Sequence, residues 1–195
     1  MTFSRLSMRP LAVLLCAFGM AGAADAQTAT SGTRSDSAAA IASADRTFLL
    51  KAAADGMAEV ELSRLAQQQA GSEQVRQFAA RIVQDHTAAH QDLIQIAANK
   101  GVPLPTELTA AQQRRLETLR HLNGAAFDRE YMRHMVGDHH KDYALFQKQA
   151  KSSQDSDVQG FASKTLPVLQ EHERLAQSLQ TDMRATPPNQ QNTAP

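Results

Sequence analysis

Val75, Phe78, Ala79, Ile82, Ala89, Leu93 and Ile96 recur at spacings of three and four residues, which places them along one face of an α-helix. Met132, Met135, Val136, Tyr143, Phe146 and Ala150 repeat the pattern, as do Val158, Phe161, Ala162, Leu169, Ala176 and Leu179. A further stripe, Phe48, Ala52, Leu62 and Ala66, comes before them. Stripes of this kind are buried by packing helix on helix. Composition agrees: 42% of the 195 residues are hydrophobic but only 5% aromatic, with no Trp and two Tyr, which disfavours a sandwich or barrel.

Local signals divide the stripes into elements. Asp45 is placed to cap a helix running to Ala70, with Gly71 suited to a left-handed C-terminal position, and Ser72 with Glu73 opens a second helix to about Asn99. Gly101 to Pro105 breaks the chain, Thr109 starts a shorter helix to about Leu122, and Asn123-Gly124 marks a turn before a long helix from Ala125 to Ser152. The last helix runs from Asp157 to about Arg184, and Pro167 inside it predicts a kink or a local loss of hydrogen bonding. The expectation is an all-α fold: a four-helix up-down-up-down bundle with a short extra helix in the middle connection.

The ends of the chain read differently. Arg5 and Arg9 precede the apolar stretch Leu11 to Met20, and Ala24-Asp25-Ala26 offers small residues for cleavage, so residues 1–26 read as a secretory signal peptide. Residues 27–44 read as a disordered linker, 45–184 as the bundle domain and 185–195 as a disordered tail. The single cysteine, Cys16, lies in the signal, so the mature chain has no disulfide or thiol chemistry. No later segment has the ~20 consecutive apolar residues of a transmembrane helix. Lys+Arg and Asp+Glu are both 20, so no basic field exists to collect nucleic acid.

Each stripe is interrupted near its middle by a polar residue at a core position: Glu59, His86, His139 and His172. In a helical hairpin, residues equally far from the turn face each other. Glu59 lies twelve residues before Gly71 and His86 fifteen after it, while His139 lies sixteen before Asp155 and His172 seventeen after it. All four then fall near one level, where they would be costly unless they satisfied one another, a water or an ion. Neutral imidazole binds Zn, Cu or Fe, and facing helices of a bundle are a common place for such a site. A buried Glu/His hydrogen-bond network without metal is the alternative.

Val83-Gln84-Asp85-His86 and Val136-Gly137-Asp138-His139 form an echo 53 residues apart. Asp85 and Asp138 point roughly 100° round the helix from their histidines, so they are candidates either to orient a His on a neighbouring helix or to make surface pairs with Arg or Lys. His90, one turn after His86, is an auxiliary candidate ligand through the H-x-x-x-H spacing; Thr87 stands where a zinc protease would carry Glu. His140 and Asp142 read as lying toward solvent or a helix seam, and His121 and His134 as ordinary polar positions. No nucleophile elbow, P-loop or dinucleotide glycine pattern occurs.

These residues carry a resemblance. Phe48-Leu49 and Glu59 with Leu62 and Ala66; Phe78-Ala79 with Val83 and Asp85-His86; Gly124 with Phe127-Asp128 and Tyr131; Met135-Val136 with Asp138-His139; and Leu166-Pro167 with Leu169 and His172 together resemble the bacterial family catalogued as domain of unknown function 4142. The resemblance implies a ferritin-like four-helix bundle, exported and often described as outer-membrane, and brings no established activity. True di-iron sites use a Glu on two helices and E-x-x-H on two others, whereas Glu59 is the one Glu at this level.

The reading that follows is an exported, stress-associated protein, periplasmic or associated with the outer membrane, holding one transition metal ion, Zn, Cu or Fe, through Glu59, His86, His139 and His172. No catalytic residue is identified. The rival is a metal-free structural or envelope-interaction module with an envelope protein as partner. A metal-dependent oxidoreductase is the third reading, and needs an open coordination position and a substrate route.

Overall fold

The computed structural model describes residues 41–185. The expected signal peptide, most of the expected linker and all of the expected tail but Ala185 lie outside the described residues. Within them the chain forms five helices, α1 (Ser43–Gln69), α2 (Glu73–Asn99), α3 (Ala110–Arg120), α4 (Gly124–Ser152) and α5 (Ser156–Ala185), and no strand. α5 runs through Pro167 as one helix, although Pro167 has no N–H to give to the carbonyl one turn back.

The four long helices form a bundle in which α1 packs on α2 and α4, and α5 packs on α4 and α2. Pairings along the seams give the chain directions. Asp45 meets Gln149, Glu59 meets His139 and Ser63 meets Tyr131, so α1 and α4 are antiparallel. Arg81 meets Glu171, Asp85 meets His172, Asp92 meets Lys164, and Lys100 meets Asp155 and Asp157, so α2 and α5 are antiparallel as well. With three-residue links joining α1 to α2 and α4 to α5, the helices run up, down, down, up. The expected up-down-up-down order is therefore corrected. Residues 100–123 are the reason: this segment carries the chain from the Lys100 end back to the Ala70 end, where Ala70 bridges Gly124, and two consecutive long helices can then point the same way.

α3 lies in this crossover and is fixed locally and at a distance. Thr109 and Gln112 form a reciprocal capping box, and the Gln112 side-chain amide also donates to the Ala54 carbonyl at 3.1 Å. Two turn expectations are replaced by tertiary contacts. Gly71 is not left-handed; it is needed because a Cβ there would lie 2.8 Å from the Gly124 Cα, and Gly124 itself takes the positive φ, at 56°. The first amides before α2 are capped from α4, with the Gly71 and Ser72 N–H groups donating to the Asp128 carboxylate at 3.0 and 2.9 Å. Asp45 does not cap α1, which begins at Ser43; it is buried against Gln149.

The core has two halves. Leu62, Val75, Phe78, Ile82, Phe127, Met132 and Met135 fill one, and Phe48, Leu49, Leu93, Phe146, Phe161 and Leu169 the other. Each large side chain buried this way contributes roughly 1.5–3 kcal/mol. On all four long helices, the residue between the halves belongs to a polar layer.

Candidate metal centre

Glu59 on α1, His86 on α2, His139 on α4 and His172 on α5 make up that layer. Spacing explains the convergence: on each helix the polar residue takes a position in the apolar stripe, so burying the stripe carries it inward. Glu59 is 2% exposed, and His139 and His172 are fully buried. The three imidazole centroids lie at the corners of a nearly equilateral triangle, 5.4, 5.4 and 5.3 Å apart. One nitrogen from each of His86, His139 and His172 lies within 4.8 Å of the others. Phe78 covers the triangle from one core half, 6.5 Å from both the His139 and His172 rings.

Two of the imidazoles are held by a hydrogen bond through one nitrogen, and the third, His86, by an ion pair. His139 Nδ1 is 3.0 Å from the Met135 carbonyl oxygen, which can only accept, so Nδ1 carries the proton and donates. His172 Nε2 donates in the same way to Asp85 Oδ2 at 2.8 Å. His86 Nδ1 approaches Glu59 Oε2 to 3.0 Å, and His139 Nδ1 approaches Glu59 Oε1 to 3.4 Å, although neither carboxylate oxygen is in hydrogen-bonding geometry. The remaining nitrogens, His86 Nε2, His139 Nε2 and His172 Nδ1, are buried without a hydrogen-bond partner. Such groups normally find partners, because an unpaired one costs about 1–3 kcal/mol.

The charges are uneven. Burial pushes the Glu59 carboxyl up, but His139, His86 and His172 around it outweigh burial and hold it down at about 2. Burial pushes His86 down, and the adjacent Glu59 more than reverses this, leaving it raised. Burial lowers His139 and takes His172 down to about 4, with the neighbouring imidazoles adding to the effect. Near neutral pH the layer thus holds one proton on the Glu59–His86 pair and two neutral imidazoles, the form that binds metals.

The auxiliary residues divide. Asp85 reaches across to His172, as an outer carboxylate would. Asp138 does not approach a histidine of the layer; it pairs with Arg115 on α3 and lies 3.6 Å from Lys141. His90 is outside the triad and keeps a buried Nδ1 with no partner. His140 is exposed and meets Glu173, while His121 and His134 each find a Glu, Glu117 and Glu130, at 3.1 Å.

Asp142 corrects the sequence reading, which placed it toward solvent or a seam. It is 5% exposed, and burial, together with the charges of Glu59 and Asp55, pushes its carboxyl up to about 9. The signal was present, since Met135, His139, Asp142 and Phe146 are spaced four, three and four apart. Asp142, Glu59 and His86 are among the residues lining a cavity of about 210 Å³ walled mainly by α1, α2 and α5.

Among the described residues, no helix is long and apolar enough to cross a membrane. None of the curated proteins compared matches the chain. A crystal structure of a DUF305 fragment from Deinococcus radiodurans is similar in fold, with a TM-score of 0.64 over 73% of this chain and 98% of that one, at 13% identity. Residues 30–179 match the family described as "Domain of unknown function (DUF4142)", and with most of its length inside that match the chain belongs to this family.

Proposed function

We propose that this protein binds one transition metal ion through His86, His139, His172 and Glu59. The supporting observation is the triad itself: three buried imidazoles, two fixed by a hydrogen bond and His86 by its ion pair with Glu59, each with one nitrogen unpartnered and presenting one nitrogen apiece within 4.8 Å. A bound cation would satisfy these nitrogens together, and Glu59 would supply the compensating negative charge. Binding would displace the proton of the Glu59–His86 pair, so affinity falls as pH falls. Zn, Cu and Fe all accept imidazole; the element is fixed by measurement.

The surrounding proposals follow. Two parallel central helices joined by one long crossover are the arrangement of ferritin-like bundles, and we assign the chain to that fold. Residues 1–26 act as a signal peptide, giving a periplasmic protein that takes an envelope partner or associates with the outer membrane, with a stress-associated role. The metal-free reading has its own support: the His172–Asp85 and His139–Met135 bonds satisfy one nitrogen each, so the layer could serve only to set helix register. An oxidoreductase ranks behind both, although the cavity beside Glu59 and His86 supplies the substrate route it would need.

The test is metal content per chain, on protein purified without chelator or affinity-tag histidines, then melting with and without EDTA. About one metal per chain, lost in His86→Ala/His139→Ala, is expected. Absence of metal, with no melting shift on adding Zn, Cu or Fe, would establish the register role instead.

A further inference from the structure

The cavity beside the layer has a chemistry of its own. Its walls are largely Ala, Leu, Val and Phe, including Ala89, Leu93, Phe146, Phe161 and Leu169. Its polar lining holds five acidic residues, Asp55, Glu59, Asp85, Asp92 and Asp142, beside His86, His90, Thr165 and Lys164, its one Lys or Arg. Most of these charges are already matched. Lys164 is bound to Asp92 at 2.8 Å, Asp55 holds Lys51 at 2.5 Å, and Asp85 holds His172. Glu59 is met by His86 at 3.0 Å and by His139 at 3.4 Å. Asp142 is the exception: it is 5% exposed and makes no hydrogen bond or ion pair with a described residue. The Asp142 carboxyl, pushed up to about 9 by burial and by Glu59 and Asp55, stays neutral in the absence of a cation and ionises as one arrives.

We propose that this cavity binds a small organic cation, an ammonium head on an apolar body, with the head against Asp142 and the body between Ala89, Leu93 and Phe161. An anion would meet the Asp142 carboxyl, while Lys164 is already engaged by Asp92 and His86 by Glu59. A neutral apolar molecule would leave Asp142 without a partner. Size agrees, since a cavity of about 150 Å³ accepts a benzene ring and the one here is about 210 Å³, which leaves room for a ring carrying one short arm. The proposal does not depend on the metal: it rests on the cavity and on Asp142, which is not among the four residues of the layer.

Benzylammonium is a suitable probe, with benzyl alcohol and benzoate as isosteric controls, titrated calorimetrically into the full chain before and after EDTA treatment. Benzylammonium is expected to bind at least tenfold more tightly than either control. Asp142→Asn keeps the shape and removes the charge, and should weaken benzylammonium at least tenfold while leaving benzyl alcohol unchanged. Ala89→Phe should fill the space and abolish binding of both; if it fails to fold, the Asp142→Asn comparison still decides. Benzoate binding as tightly as benzylammonium, or an unchanged affinity in Asp142→Asn, would overturn the proposal. One metal per chain with no amine binding overturns the cavity assignment and leaves the metal centre standing; amine binding in a protein that takes no metal does the reverse.

Discussion

The two V-x-D-H segments start from nearly the same sequence and end in different surroundings. His86 and His139 both turn inward and stand 5.4 Å apart across the bundle. Their aspartates part company: Asp85 faces α5 and accepts from His172, whereas Asp138 faces the crossover and holds Arg115. The difference arises outside both segments. The crossover passes α4 on the side where Asp138 emerges and brings Arg115 there, while Asp85 emerges along the α2–α5 seam, where His172 waits. A repeated pattern therefore specifies what enters the core, and the neighbouring chain decides what the adjacent carboxylate does.

The sharpest way to break this comparison is to remove its shared half. His86→Ala and His139→Ala should each weaken metal binding at least a hundredfold, about 3 kcal/mol, and to a similar extent, because each supplies one ligand of three imidazoles. A variant that keeps its affinity, read by competition with a chelator of known strength, would show that the two segments are not equivalent after all.

Acidification should come next in size. In metal-free protein, burial and neighbouring imidazoles hold His172 at about 4, against 6.5 when unfolded, and burial with Arg115 and Arg133 does the same for His134. The unfolded chain then binds more protons than the folded one between these values, so stability present above about pH 6.5 is lost as pH falls toward 4. His86, raised by Glu59, works in the opposite sense: it adds stability below 6.5 that is lost as pH rises through its folded value. His139 is lowered as well, whereas Asp142, pushed up to about 9, works with His86. Three lowered groups against two raised ones leave a net loss on acidification, of about 3 kcal/mol at most. Urea melts at pH 7 and pH 5 measure it, and His134→Gln should make the difference smaller.

Much of this was readable from the sequence. The stripes mark which face of each helix is buried, and their interruptions put Glu59, His86, His139 and His172 at one level. Helix order escaped because short links report only that their two helices are antiparallel. They say nothing of the direction of one hairpin against the other, which residues 100–123 decide by recrossing the bundle. Asp142 escaped for a different reason. An aspartate at a core position is read as a solvent residue because its charge makes burial costly, but a carboxyl pushed up to about 9 carries no charge at neutral pH. Gly71 was assigned by the commonest use of glycine at a helix end, while its role here, admitting the Gly124 backbone, depends on a segment more than fifty residues away.

The smaller effects test the half of the comparison that differs. Asp85→Asn replaces the carboxylate behind His172 with an amide that can still accept a hydrogen bond but carries no charge. Loss of such an outer partner typically costs 10–100-fold in metal affinity, and about tenfold is expected. Asp138→Asn breaks a mostly buried pair with Arg115, worth about 1.5–3 kcal/mol of stability, and should leave metal affinity within about twofold because Asp138 touches no imidazole of the layer. Its effect belongs elsewhere: with Arg115 released, the amides of α3 should exchange hydrogen faster while those of α2 and α5 are unchanged. If Asp138→Asn weakened metal binding as much as Asp85→Asn, the crossover would be coupled to the centre, and the division between a carboxylate that serves the site and one that ties down the connection would fail.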